Sequence, residues 1–128
     1  MILVDTSVVI DYARGKDAKL AALLPTLSVA LCGIVRAELL CGARDPGHRA
    51  NLATLMAAFH QVSIPESLWD TVGDHLAALR SAGVTVPFAD VVVAALAMEY
   101  DVELWTRDAQ FRLIQNVLPA LKLFQEPP

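Results

Sequence analysis

Three aspartates stand where short apolar runs give way to helix-forming segments. Asp5 directly follows Ile2-Leu3-Val4, Asp108 follows the run ending at Trp105, and Asp90 falls in the first turn of an apolar helical stretch. In open parallel sheets, ligands bind outside the carboxyl ends of the strands, where loops lead into helix N-termini. The plainer role is capping, since Asp is a favoured N-cap and negative charge suits a first helical turn. Asp5 fits capping least comfortably, because it abuts a buried run. Glu38 is the fourth acid. At ~100° per residue it falls between Ile34 and Val35 on the helical wheel, with Leu39 and Leu40 directly after it. A glutamate on an apolar face is expensive to bury without a partner. It therefore pairs with an arginine such as Arg36, bends out to solvent, or points into a shared acidic pocket. Carboxylates converging without counterions raise one another's pKa, and a divalent cation removes that penalty. Oxygen-only ligands favour Mg²⁺ or Mn²⁺ over zinc. Position and composition leave all of these options open.

The residues around the acids are less specific. Arg14, Lys16 and Lys19 form the one local basic grouping, and Arg36 and Arg107 neighbour acids in sequence. Each either contacts phosphate or sits on a solvated face, paired with an acid such as Asp11 or Asp17. Trp69 and Trp105 could stack on bases, although Trp105 ends a strand, where core packing is expected. His48, His60 and His75 have no metal-ligand spacing. Cys32 and Cys41 make neither a disulfide framework nor a zinc motif and fit a reducing cytosol.

These side chains must be positioned by one domain, residues 1–128. A hydrophobic share of 55% supplies a core, and 19% charged residues argue against disorder. A net charge of -4 excludes bulk electrostatic DNA binding but leaves room for a local basic patch. No signal peptide is expected from MILVDTS, and the apolar segment Val91 to Met98 is too short to span a membrane. A soluble cytoplasmic protein is the expectation.

Strands are expected at Ile2–Val4, Leu27–Cys32, Val62–Ile64, Val102–Trp105 and Lys122–Phe124. Helical patterns lie between them: to Arg14, from Asp17 to Pro25, over Ile34–Ala43, His48–Phe59 and Glu66–Ala82, from Pro87 to Tyr100, and over Ala109–Gln115. Asp45-Pro46-Gly47 reads as a turn and Gly83 as a helix stop. Strands alternating with helices predict a three-layer α/β/α fold on a mainly parallel sheet.

The segments LVDTSVVIDY (3–12), RAELLCG (36–42), VPFADVVVAA (86–95) and LWTRDAQF (104–111) together resemble a PIN-domain ribonuclease, and within that family a VapC toxin. The resemblance runs from Ile2 to Phe124 and maps the family's four acids onto Asp5, Glu38, Asp90 and Asp108. It implies a PIN-like fold and a Mg²⁺- or Mn²⁺-dependent endoribonuclease that works as a homodimer and is restrained by a cognate antitoxin. The antitoxin tail would block the acidic pocket, with an arginine paired to the acids. Asp5 and Asp90 are then the direct metal ligands, while Glu38 and Asp108 act through water or at a second metal position. Thr6, Ser7 and Thr106 match the family's hydroxyl residues and either orient water and carboxylate or cap helices. The RNA target is left open.

Two rival readings remain. A haloacid-dehalogenase-type phosphatase also places Asp after an apolar first strand, but wants a second Asp where this chain has Ser7. A non-catalytic interaction module would use the acids only as caps.

Overall fold

Ile2, Leu3 and Val4 form the first strand, β1 (Ile2–Val4), and Leu3 and Val4 are fully packed inside. In the computed structural model, which describes residues 1–128, the chain continues through α1 (Thr6–Arg14), α2 (Ala18–Leu23), β2 (Val29–Cys32), α3 (Gly33–Cys41) and α4 (Pro46–Ala57). It then forms β3 (His60–Val62), α5 (Leu68–Ser81), α6 (Phe88–Glu99), β4 (Glu103–Trp105) and α7 (Gln110–Val117). The sheet order is β3-β2-β1-β4, and every pairing is parallel.

That order dictates the layers. The chain steps from β1 to β2 to β3 in one direction and then crosses back to β4. Right-handed crossovers therefore put α1 to α4 on one face and α5 and α6 on the other. The packing agrees: α1 and α4 lie against α3, while α5, α6 and α7 pack against one another. The switch in direction falls between β1 and β4, so a crevice is expected at their carboxyl ends.

Helix α6 is the buried keel. Val91 to Ala97 are all inaccessible, as an uninterrupted apolar stretch requires. Each of its buried valines contributes roughly 1.5–3 kcal/mol relative to exposure. Gly15 and Gly83 adopt left-handed φ of 68° and 75° just past α1 and α5, where a side chain would be strained.

Several boundaries differ from expectation, for physical reasons. Asp45-Pro46-Gly47 is not a turn but the start of α4. Asp45 accepts the His48 N–H at 2.8 Å, and Pro46 occupies the first turn, where its missing N–H costs nothing. Strand β3 lies two residues earlier than the apolar pattern suggests. It is an edge strand, so exposed His60 and Gln61 pair with Ala30 and Leu31 without needing burial. The second strand begins at Val29, two residues later than Leu27, because Leu24–Thr26 forms a 3₁₀ turn around Pro25. Lys122–Phe124 makes only one parallel bridge, Leu104 to Leu123, rather than a full strand.

Candidate active site

Strand register brings the first and last acids together. Val4 pairs with Trp105, and the Asp5 N–H donates to the Trp105 carbonyl at 2.9 Å. Asp5 and Thr106 thus leave adjacent strands side by side at the switch point. Asp5 occupies the N-cap position of α1, but its side chain makes no capping bond. Its Oδ2 instead accepts from the Ser7 and Thr106 hydroxyls, each at 2.9 Å. Asp5 is 5% exposed, the one charged side chain in the buried set. No protein donor reaches its Oδ1, which is not sealed from solvent.

The same loop sets Asp108. The Thr106 hydroxyl accepts the Asp108 N–H at 3.0 Å, so one hydroxyl serves both acids. Asp108 Oδ1 accepts the Gln110 N–H at 3.0 Å, so part of its carboxylate does act at the start of α7. Glu38 is exposed beside the buried line of Val35 and Leu39 on α3, not within it. It therefore avoids the burial cost its wheel position suggested. Its partner is Thr6, whose hydroxyl donates to Oε1 at 3.0 Å, rather than Arg36.

Asp90 lies in the first turn of α6, and no hydrogen bond reaches its carboxylate. Burial and the negative charges of Asp5, Asp108 and Glu38 lift its pKa from the ordinary 3.8 to about 7. Asp90 thus feels the other three acids, and no cation faces it. Like charges without a counterion repel. No three Asp, Glu, His or Cys side chains are gathered tightly enough here to hold an ion.

One consequence is testable in metal-free protein. The folded state keeps the Asp90 proton up to about pH 7, whereas an unfolded Asp releases it near 3.8. That proton stabilises the fold fully below 3.8, and its benefit is lost as pH rises through 7. Melting temperature in chelator should fall across this window, and Asp90→Asn should flatten the fall. An unchanged slope in the variant would assign the titration to another group.

The basic residues divide. Arg14 and Lys16 line a cleft of about 1080 Å³ together with Glu38 and Arg44, whereas Lys19 does not. None of Arg14, Lys16 or Arg44 is in an ion pair. Arg107 follows the structural alternative: its guanidinium bonds Asp11 at 3.0 Å and Asp17 at 2.9 Å. It also grips Glu126 through two nitrogens, at 2.7 and 2.8 Å. Glu126 had no signal in the sequence, being a lone acid in a short tail. Trp105 is fully buried and tilted against Phe124, so it packs the core, while Trp69 is exposed on α5. Both cysteines are free. His48 braces the α3–α4 turn by accepting the Arg44 N–H at 3.0 Å.

Residues 2–117 match the PIN domain family. The chain belongs to the PIN-domain family. The resemblance read from four segments is thereby met, as is the fold. This PIN domain is 28% identical over 125 residues to ribonuclease VapC11 of Mycobacterium tuberculosis, covering 91% of this chain and 93% of that protein. Ribonuclease VapC19 of the same species is 29% identical over 132 residues, covering 93% and 98%. Among solved structures, VapBC2 from Rickettsia felis, bound to a DNA fragment from its promoter, superposes with a TM-score of 0.84. It is 20% identical, with 97% of this chain and 98% of that one covered. No helix of this PIN domain is long and apolar enough to cross a membrane.

Proposed function

We propose that this PIN domain, acting over residues 1–128 as one unit, is a Mg²⁺- or Mn²⁺-dependent endoribonuclease of the VapC kind. In this reading it is the toxin of a toxin–antitoxin pair, working in the cytoplasm and restrained by a cognate antitoxin. The observation that carries the metal and the chemistry is Asp90. It carries no hydrogen bond and feels three negative neighbours and no cation, as a site that takes up positive charge requires. The similarity to VapC ribonucleases supports RNA as the substrate.

The donor set fits a hard cation, because every candidate ligand atom is a carboxylate oxygen. A bound Mg²⁺ or Mn²⁺ would offset charge on the phosphoryl oxygens and supply a water acidic enough to attack near neutral pH. Asp5 and Asp90 would hold the ion directly. Glu38 and Asp108 would act through water or at a second position. Thr6, Ser7 and Thr106 keep the carboxylates aimed by donating to Glu38 and Asp5. Arg14, Lys16 and Arg44 line the cleft beside Glu38 and offer phosphate contacts along the approach.

Neither rival accounts for the site. Ser7 stands where the phosphatase needs an acid and is already committed to Asp5. A module whose acids only cap helices leaves Asp5 and Asp90 unexplained, since neither caps.

Purified protein should cleave total cellular RNA with Mg²⁺ or Mn²⁺ and stop when EDTA is added. Cleavage that persists in chelator would remove the metal mechanism. Self-association completes the reading, with exposed Phe88 (56%), Leu113 (46%) and Tyr100 (41%) as apolar surface to cover. Sedimentation showing only monomer at micromolar concentration would remove the homodimer.

A further inference from the structure

The tail beyond residue 117 lies outside the family match, yet it reaches the loop that carries Asp108. Glu126 Oε2 accepts the Trp105 indole N–H at 3.0 Å and the Arg107 Nε–H at 2.8 Å, while Oε1 accepts from Arg107 Nη2 at 2.7 Å. The Arg107 Nη1 bridges Asp11 on α1 and Asp17 ahead of α2. Three separate segments thus hold one guanidinium whose own backbone sits between Thr106 and Asp108. That backbone is tied inward as well: the Arg107 N–H donates to Ser7 Oγ at 2.9 Å, and Ser7 donates to Asp5.

We propose that Arg107 and Glu126 form a clasp that positions Asp108 and Thr106 against Asp5, making the C-terminal tail part of the site's construction. The inference deepens the metal-ribonuclease reading and rests on it. Arg107 and Glu126 are positioning residues. Their side chains bond to one another and to Asp11, Asp17 and Trp105, not to the four acids. The clasp also occupies the nearby cation: a guanidinium already bonded to three carboxylates is not free to neutralise Asp90. The planar fork matters, because Lys is a point charge and cannot span Glu126 bidentately while reaching Asp11 and Asp17.

The test uses the full chain with Arg107→Lys, Glu126→Ala and Glu126→Gln, and Lys122→Met as control. Lys122 is in the same tail but pairs with Asp101, away from the loop. Opening of the clasp is read from the Trp105 indole N–H resonance, which loses its Glu126 acceptor. The functional readouts are Mn²⁺ binding, followed by the signal of free Mn²⁺, and RNA cleavage at saturating metal. Groups that orient ligands typically cost about 10–100-fold in metal affinity or activity when removed. Arg107→Lys and Glu126→Ala should therefore weaken Mn²⁺ binding about tenfold. They should also lower the maximal cleavage rate with little change in half-saturating RNA. Glu126→Gln, which keeps an acceptor oxygen, should recover part of the loss, and Lys122→Met should match wild type.

A shifted indole resonance with wild-type Mn²⁺ binding and cleavage overturns the clasp. Equal losses in Lys122→Met also overturn it, by showing general tail destabilisation. Should Arg107→Lys fail to fold, Asp11→Asn with Asp17→Asn opens the outer half of the same network and is read by Mn²⁺ binding and cleavage, the Trp105–Glu126 bond staying in place. If wild type binds Mn²⁺ but cleaves no RNA, the ribonuclease reading fails, while the Mn²⁺ comparison still decides whether the clasp aims the acids.

Discussion

Asp5→Asn and Asp90→Asn should each lower RNA cleavage by about a thousandfold or more while leaving the protein folded. Both changes keep side-chain size and remove one anionic oxygen ligand. At position 5 the amide oxygen can still accept from Ser7 and Thr106, as Oδ2 does now. The amide nitrogen then takes the place of Oδ1 and presents a donor where a hard cation needs an oxygen. At position 90 the substitution breaks no hydrogen bond and relieves repulsion from Asp5, Asp108 and Glu38. The metal-free Asp90→Asn protein should therefore melt no lower than wild type at neutral pH, even as activity disappears. Expressed alone, wild type should arrest growth and neither variant should. Asp70→Asn, in the first turn of α5, is the control and should stay active and toxic. Chelator-resistant cleavage by Asp5→Asn would point to a contaminant or a different mechanism.

Thr106→Val is expected to cost both stability and metal binding, because one hydroxyl does two jobs. It donates to Asp5 Oδ2 and accepts the Asp108 N–H. Valine fills the same space and can do neither. The partly buried Asp108 N–H loses its partner and Asp5 keeps only Ser7, a loss of about 1–3 kcal/mol. Mn²⁺ affinity should fall about 10–100-fold, since the carboxylate it helps aim is a proposed direct ligand. Thr106→Ser retains the hydroxyl and should stay close to wild type. Denaturant melts and Mn²⁺ titrations of the three proteins give the comparison, and equal behaviour of the Val and Ser variants would dismiss the orienting role.

Local chemistry makes much of this protein legible in its sequence. Ile2-Leu3-Val4 followed by Asp-Thr-Ser reads as strand then helix because burial and capping preferences both act over a few residues. The unbroken apolar stretch from Val91 to Ala97 announces a helix covered on several sides, as observed. The acids Asp5, Asp90 and Asp108 are visible as candidates because each interrupts or abuts an apolar run. Alternation of strands with helices was enough to name a parallel α/β fold.

Tertiary structure decided what depends on groups distant in sequence. That Asp5 does not cap its own helix is decided only when its oxygen is seen to accept from Thr106, 101 residues away. Glu38 could have paired with Arg36 on its own helix, and instead meets Thr6 across the α1–α3 packing. Strand β3 lies off the apolar pattern because an edge strand is held by backbone hydrogen bonds, which leave no mark in side-chain pattern. The hold of Glu126 on Arg107 was invisible for the same kind of reason. Two oppositely charged residues 19 apart in sequence carry no periodicity, and only the return of the tail along β4 brings them to 2.7 Å. Short-range preferences are written residue by residue, whereas long-range pairing is selected by the packing of the whole core.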